Sequence, residues 1–184
     1  MQQQPSVIAS GDYLYFAPAG QAFNIPAAGV VSNSAKPDPA DPIWLTFGLG
    51  TVAKLPQDKR TSKAVTIMQP TIQGTIVPFN ILRPQHELTM EVTMNEMSRL
   101  ALTGFYKSPL IGLADTTFYP LTSSSLQGWL KRVRWQNGAP WITDDWWADL
   151  DCEEFTVVEP NIIQPKFKFT WLGSAPSTLN VSGI

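Results

Sequence analysis

The stretch over residues 86–106, HELTMEVTMNEMSRLALTGFY, changes its periodicity midway and constrains the fold more than any other part of the chain. Its first half alternates strictly between apolar and polar residues, which is typical of a strand with one buried face. Its second half repeats every three to four residues, which is typical of a helix that buries one face. Asn95 stands at the change and predicts the helix N-cap, so a helix is expected over residues 95–106.

Apolar residues on the inner faces of this unit and of later strands form the predicted core. In the strand and helix above, these residues are Leu88, Met90, Val92, Met94, Met97, Leu100 and Phe105. In the later strand-like segments they are Trp129, Val133, Trp146, Leu150, Phe167, Phe169 and Trp171.

Composition predicts one folded, mainly β domain over residues 1–184. The chain is 43% hydrophobic with seven tryptophans, and its 16 prolines and 12 glycines separate short strand-like runs. We expect a core over 12–173, flanked by an N-terminal arm (1–11) and a C-terminal arm (174–184).

The net charge of −2 gives no overall basic character for nucleic-acid binding. No leader or membrane-spanning run is present, and one cysteine cannot form an internal disulfide, so synthesis in a reducing cytoplasm is expected.

Two long segments exceed what a compact monomer needs. Residues 20–42 contain four prolines and no periodicity, and loops of that length are usually functional, disordered or packed on a partner. Residues 53–84 are charged and broken by Pro70 and Pro78, which favours a long hairpin or loop reaching beyond the core. The charges of this second segment are Lys54, Asp58, Lys59, Arg60 and Lys63.

The dipeptide Asn137-Gly138 is the strongest hairpin signal, because it is preferred in two-residue type I′ turns. Such a turn pairs Trp129 with Trp146, Lys131 with Asp144, and Val133 with Ile142. Pro140 argues against regular pairing beside the turn and favours a longer loop.

An acidic run at residues 144–154, DDWWADLDCEE, allows three interpretations. Paired carboxylates can perform acid–base or metal chemistry. Simple strand alternation explains the same spacing, since it places alternate residues on a solvated face. The third interpretation is an acidic surface that faces an anion. The shared face carries Asp145, Asp149, Asp151 and Glu153.

Other candidate chemistry is weak. His86 has no histidine or cysteine partner at ligand spacing, and Cys152 falls on the apolar face of its strand. Residues 48–50, Gly-Leu-Gly, lack the third glycine of a dinucleotide loop, and no hydrolase, phosphate-loop or metalloprotease motif occurs. We therefore predict no enzyme activity, catalytic residue, metal or cofactor.

Basic and aromatic residues interleave near the hairpin, a mixture that could bind single-stranded nucleic acid. Alternation splits Lys131 from Arg132 and Arg134, however, and acids lie on the partner strand. Core positions for Trp129 and Trp135 are therefore favoured.

Several segments, taken in order, resemble the major tail tube proteins of long-tailed (siphovirus-like) bacteriophages and related prophage particles. The segments are GDYLYFAPAG, DPIWLTFGLGTV, HELTMEVTMNEMSRLAL, LQGWLKRVRW, WADLDCEEF and QPKFKFTWLGS. The resemblance implies an antiparallel β-sandwich or half-barrel with one flanking helix. It also implies hexameric rings that stack into a hollow tail tube, the conduit for DNA ejection.

The implied partners are other copies of the chain, the tape measure, terminator and distal tail proteins, and viral DNA that passes without specific binding. No membrane is implied; the protein would be made in the bacterial host and reside in the virion tail. Asp145, Asp149, Asp151 and Glu153 are expected to face the bore, where carboxylates repel phosphates. The charged segment over residues 54–84 is expected to bridge stacked rings.

Two alternatives remain. One is another ring-forming tail component, such as a distal tail, terminator or head–tail joining protein. The other is a ligand-binding β-sandwich that uses Trp141, Trp146 or Trp147 as a platform.

Overall fold

Strands dominate the computed structural model, which describes residues 11–46, 52–70, 76–94, 99–108, 125–136, 139–158 and 162–181. Ten strands and one helix occur in these ranges. In chain order they are β1 (Gly11–Pro18), β2 (Ala22–Phe23), β3 (Gly29–Val30), β4 (Leu45–Thr46), β5 (Val52–Pro70), β6 (Ile76–Met94), α1 (Arg99–Tyr106), β7 (Gln127–Gln136), β8 (Ala139–Val158), β9 (Ile162–Trp171) and β10 (Thr178–Val181). The predicted mainly β fold with one helix is confirmed. The predicted N-cap Asn95 and the core candidate Met97 lie outside the described residues.

One antiparallel sheet contains eight of the strands. Seven of them follow the order β4-β1-β7-β8-β9-β6-β5. The eighth, β10, pairs with residues 142–145 of β8, a part of that strand that does not pair with β9. β2 and β3 form a separate two-stranded ribbon. Within the described residues, β5 pairs with β6 and stands at one edge of the large sheet, while the two-residue β4 stands at the other.

The sheet buries residues on both faces. On the first face, α1 covers a core that includes Phe16, Met90, Leu150 and Phe169, all fully buried. Gly104 permits this close packing, since a Cβ added there would lie 3.2 Å from Cys152 Cβ. On the opposite face, residues of the segment between β1 and β4 pack on a second core. That core contains Ala17, Phe23, Val31, Trp44, Trp129, Trp147 and Ala175.

Most predicted core residues lie in the first core. Met90, Val92, Met94, Leu100, Trp146, Leu150, Phe167 and Phe169 are buried there, and Leu88 and Trp171 are partly buried against it. Trp129 is buried in the second core, and Val133 is half-buried. The prediction for Phe105 is wrong: its side chain is exposed. The helix turns Leu100, Ala101, Thr103 and Gly104 inward, so Phe105 projects from the edge of the buried face.

The predicted register between β7 and β8 is shifted by one residue over most of the ladder. Trp129 pairs with Trp147, Lys131 with Asp145, and Val133 with Thr143. Next to the turn, Trp135 pairs with Pro140, as the predicted register requires, and the register shifts between Arg134 and Trp135. The irregularity beside Pro140, which has no backbone N–H to donate, accounts for the shift. Trp129 and Trp146 consequently face opposite sides of the sheet.

Gly128 is required where β1 and β7 approach closely. A Cβ added there would lie 2.3 Å from the Ala17 carbonyl oxygen and 2.6 Å from Phe16 Cζ. The oxygen belongs to a paired strand and cannot move aside. We therefore expect Gly128→Ala to lower the free energy of unfolding by about 1–3 kcal/mol, measured by urea denaturation.

Gly173→Ala is the control for that substitution, because its added Cβ would first meet the ring of Trp171 at 3.2 Å in an exposed turn. Its effect should be smaller than that of Gly128→Ala. Equal losses for the two variants would contradict the close-approach explanation.

Candidate functional site

A buried ionic cluster joins β5, β7 and β8 and organises the candidate site. Arg132 is only 5% exposed. Its Nε donates to both carboxylate oxygens of Asp144 at 2.9 and 3.2 Å, and its Nη2 donates to Asp144 Oδ2. Its Nη1 donates to both oxygens of Asp58 at 2.8 and 3.0 Å. The guanidinium carbon also lies 5.0 Å from the centre of the Trp146 ring.

The cluster stabilises the charged form of Arg132 despite its burial. Burial alone disfavours the charge, but hydrogen bonds and charges from Asp144 and Asp58 outweigh that cost and raise the pKa of Arg132. Arg134 Nη2 also lies 3.2 Å from Asp58 Oδ2, in a more exposed part of the cluster. The two negative charges of the aspartates and the two positive charges of the arginines in this cluster therefore sum to zero.

The contact between Arg132 and Asp58 shows that the sheet is rolled. In the sheet, β7 and β5 are separated by β8, β9 and β6. Strands lie about 4.8 Å apart, so a flat sheet would place β7 and β5 about 19 Å from each other. Side chains cannot form 2.8 Å hydrogen bonds over that separation unless the sheet curves. Residues of the first core therefore line the inside of a half-barrel-like roll.

The β5–β6 hairpin extends beyond this roll. β6 pairs with β9 only over Thr89–Thr93, whereas β5 and β6 pair with each other from Val52 and Met94 to Pro70 and Ile76. Residues 76–88 of β6 therefore belong to a two-stranded ribbon about 40 Å long at roughly 3.3 Å per residue. We call residues 60–70 with 76–88 the hairpin arm.

The five charged residues predicted to bridge rings lie on β5. Asp58 belongs to the ionic cluster at the base of the hairpin arm. Lys59 and Arg60 are exposed. Lys54 and Lys63 pair with Thr93 and Gln85, and their side chains lie outside the described part of the structure.

The structure corrects the bore-facing prediction for Asp145. Its side chain is buried, and its Oδ2 lies 2.7 Å from Lys36 Nζ. Thr178 Oγ1 donates to the same oxygen at 3.1 Å. Strand alternation correctly places Asp145 away from the first core, but the second core covers that face. A buried, ion-paired carboxylate cannot line a channel.

Two further residues of the acidic strand lie near the end of α1. Lys107 Nζ lies 2.9 Å from Asp151 Oδ1 and donates to the Leu150 carbonyl oxygen at 2.9 Å. Asp149 is half-buried, and this burial raises its pKa, while the charge of Lys107 acts in the opposite direction. Asp149 is therefore partly withdrawn from solvent, and Asp151 is half-exposed and paired.

Glu153 is the remaining member of the predicted acidic surface. Its Oε2 lies 3.0 Å from Lys166 Nζ on β9, and both side chains are more than a third exposed. This contact raises the pKa of Lys166. Three of the four predicted acids thus have a lysine partner.

Residues 20–42, for which the sequence left a functional, a disordered and a partner-bound loop open, pack on the sheet of their own chain. Phe23 and Val31 are buried in the second core of their own subunit. Trp129 Nε1 donates to the Ser32 carbonyl oxygen at 2.8 Å. Asp41 accepts backbone N–H groups of Asn24, Ile25 and Ile43 at 2.9–3.0 Å. These contacts fix the segment on the sheet.

The Asp41 carboxylate gives the segment a pH-dependent anchor. Its hydrogen bond from Asn24 is the largest influence on its pKa, which is lowered from 3.8. A lowered pKa stabilises the fold above the ordinary pKa, and that contribution is lost as pH falls through the lowered value. We expect Asp41→Asn to lower the Tm at pH 7, with the difference from the natural chain shrinking below pH 3.8. A constant difference over pH 7 to 2 would contradict the anchor.

The C-terminal arm predicted over 174–184 is anchored as well, as far as residue 181. β10 pairs with β8 of the same subunit, and Ala175 is buried in the second core. Trp171 Nε1 donates to Ser177 Oγ at 2.9 Å. Residues 175–181 of the predicted arm therefore pack on the sheet of the same chain. The N-terminal arm over residues 1–10 lies outside the described residues.

The structure corrects the ligand-binding alternative for two of its three tryptophans. Trp146 and Trp147 are buried on opposite faces of β8, whereas Trp141 is exposed. Burial raises the pKa of the Cys152 thiol to about 12, as for an inert core cysteine. The side chain of His86 lies outside the described part of the structure.

A small pocket between β1 and β7 escaped the sequence analysis. It has a volume of about 230 Å³ and is lined by Tyr13, Tyr15, Pro39, Lys131, Val133 and Trp135. The alternation of DYLYF on β1 predicts that Tyr13 and Tyr15 lie on the same face of the strand. Their meeting with Lys131 depends on the pairing of β1 with β7, which no local pattern specifies.

No group of three or more His, Cys, Asp and Glu side chains in the described ranges is arranged to hold a metal ion. None of the helices in those ranges has the length and apolar character needed to cross a membrane.

Comparison with known proteins gives similarities to solved structures. No protein-family model matches the chain, and no curated protein matches it. A chain in the cryo-EM structure of the anti-feeding prophage (AFP) baseplate, 6-fold symmetrised, is similar over 100% of both chains, with a TM-score of 0.40 and 9% identity. A TM-score of this size is too low to carry a functional argument.

Proposed function

We propose that this protein is a structural subunit of a phage-like tail that assembles into hexameric rings, which stack into a hollow tube for DNA ejection. The proposal extends the sequence resemblance to tail tube proteins and assigns no catalytic role. The observation that carries it is the hairpin arm, which extends from the rolled sheet.

The hairpin arm is more than the monomer fold requires. A two-stranded ribbon is marginally stable in water unless it packs against other elements. Of its described side chains, Arg60, Thr61, Thr66, Met68 and Glu87 are exposed. Packing against a neighbouring subunit would cover such a ribbon and supply the missing stabilisation.

The ionic cluster supports the same role, because it fixes the orientation of the base of the hairpin arm relative to β7. Asp58 pairs in register with Met90 on β6 and binds Arg132 and Arg134 of β7. An arm used to contact another subunit must be held at a fixed angle to its own sheet. The 20–42 segment and the described C-terminal residues pack on their own subunit, so the proposal rests on the hairpin arm.

The residues that we propose for the channel wall differ from the four acidic residues predicted from the sequence. Asp145 is buried and is not proposed for the wall. Asp151 and Glu153 remain half-exposed or exposed, and we propose them for it. Both have lysine partners, so the proposed wall carries less net negative charge than the sequence alone suggested.

The mass of the purified protein in solution tests the proposal. Six copies of the 20.3 kDa chain give a particle of about 122 kDa. We expect light scattering after size-exclusion chromatography to detect this mass or larger, concentration-dependent species. A monomer at all accessible concentrations would contradict the proposal. A closed hexamer that never grows would favour a distal tail, terminator or head–tail joining role.

A further inference from the structure

The pocket on the face of the second core has a fixed set of aromatic and polar groups. In the antiparallel ladder of β1 and β7, Tyr13 pairs with Val133 and Tyr15 pairs with Lys131. Trp135 pairs with Gly11, which has no side chain to fill the adjacent space. The rings of Tyr13 and Trp135 meet edge to face, with centroids 5.8 Å apart and planes at 66°. The ladder therefore presents an exposed tyrosine ring and a half-buried tryptophan ring at an angle to each other.

Lys131 brings a positive charge to this pocket. Its Nζ lies 5.8 Å from the centre of the Tyr15 ring and 6.0 Å from that of Trp44. Within the described ranges, it forms no salt bridge or hydrogen bond. Burial lowers its pKa, the nearby charges of Asp145 and Asp38 raise it, and that of Lys36 lowers it. The ammonium group is half-buried and lacks an acceptor.

The charges around Lys131 disfavour a ligand with more than one negative charge, because Lys36 and Lys131 are already balanced by Asp38 and Asp145. Asp145 is already paired with Lys36 at 2.7 Å, and Asp38 contributes one further negative charge. A monoanion would complete the contacts of Lys131, whereas the second charge of a phosphate monoester would be repelled by the aspartates. A chain of nucleotides would also need more cations than this face provides.

We propose that this pocket binds an acidic sugar, a pyranose ring that carries one carboxylate. The carboxylate accepts hydrogen bonds from Lys131, and the C–H groups of the sugar pack on the electron-rich ring faces of Tyr13 and Trp135. The hydroxyls of Tyr13 and Tyr15 donate to or accept from sugar hydroxyls, since neither hydrogen-bonds within the described structure. The volume of about 230 Å³ is of the size of one ring. This binding is independent of the proposed tube assembly.

Titration with two sugars of similar shape tests the proposal. D-glucuronate and D-glucose differ at one carbon, which is a carboxylate in the first and a hydroxymethyl group in the second. Binding is monitored by tryptophan fluorescence and NMR chemical shifts. We expect glucuronate to bind at least tenfold more tightly than glucose. Equal affinities, or stronger binding of inorganic phosphate than of glucuronate, would overturn the assignment.

Variants show whether the binding occurs at this pocket. Lys131→Met should remove the preference for glucuronate, and Lys131→Arg should retain it. Tyr13→Ala should weaken the binding of both sugars, because the exposed Tyr13 ring provides a stacking surface. Lys59→Met, which removes an exposed lysine from β5, is the control and should leave both affinities unchanged. An unchanged preference in a folded Lys131→Met protein would overturn the proposal.

Discussion

Replacing Arg132 with methionine is expected to lower the free energy of unfolding by about 3–5 kcal/mol. The substitution leaves the Asp144 carboxylate, whose side chain is 6% exposed, without its cation inside the roll. It also removes the two hydrogen bonds from Nη1 to Asp58. The loss is large because an unpaired buried charge retains its full desolvation cost, whereas methionine approximately preserves the packing volume.

Urea denaturation measures this effect, and Arg134→Met is the matched control on the same strand and face. Arg134 lies 3.2 Å from the same Asp58 but is about a third exposed, so its removal should cost less than about 1 kcal/mol through that ion pair. Similar losses for the two variants would contradict a buried cluster centred on Arg132.

A double substitution separates the unpaired charge from lost packing. When Arg132→Met is combined with Asp144→Leu, the buried charge and its partner are both removed, and part of the lost stability should return. Asp58 remains, but its half-exposed carboxylate can be hydrated. A double variant less stable than Arg132→Met alone would show that the cost comes from packing instead.

Shortening the hairpin arm is expected to abolish polymer formation while the fold is retained. Lys63 and Gln85 are partners in the β5–β6 ladder, so residues 64–84 can be replaced by Asn-Gly to form a two-residue turn between them. The change leaves Asp58, Arg132 and the pairing of β6 with β9 intact. We expect monomers or single rings with the near-UV circular dichroism of the natural chain.

The β8–β9 hairpin provides a matched truncation. Thr156 and Gln164 are partners there, so residues 157–163 can be replaced by the same Asn-Gly turn. This control also shortens a β-hairpin but leaves the hairpin arm complete, and it should assemble as the natural chain does. Normal tubes from the chain with the shortened hairpin arm would refute the proposed contact, as would loss of assembly in both variants to the same extent.

Local periodicity was enough to predict the buried faces of β6 and β8. The alternation over residues 87–94 correctly gives the inner residues of β6, and the alternation from Trp146 to Cys152 gives those of β8. The helix is correct in type, but its buried face includes Thr103 and omits Phe105. Hydrophobicity alone favours the phenylalanine, so the pattern misplaces the face by part of a turn.

Contacts between distant elements could not be predicted in this way. Lys36 and Lys107 reach Asp145 and Asp151 from a loop and a helix end, and neither contact follows from a repeat on β8. The roll that brings Asp58 to Arg132 depends on strand order and curvature. The anchoring of the 20–42 segment depends on Asp41, whose three backbone donors are adjacent only after folding.

Electron microscopy of the purified natural chain, negatively stained over a range of concentrations, tests the central claim most directly. The proposed function predicts hexameric rings with a central channel and, as concentration rises, stacks of rings that form tubes of constant width. Isolated globular particles at every concentration, from protein with intact near-UV circular dichroism, would contradict it.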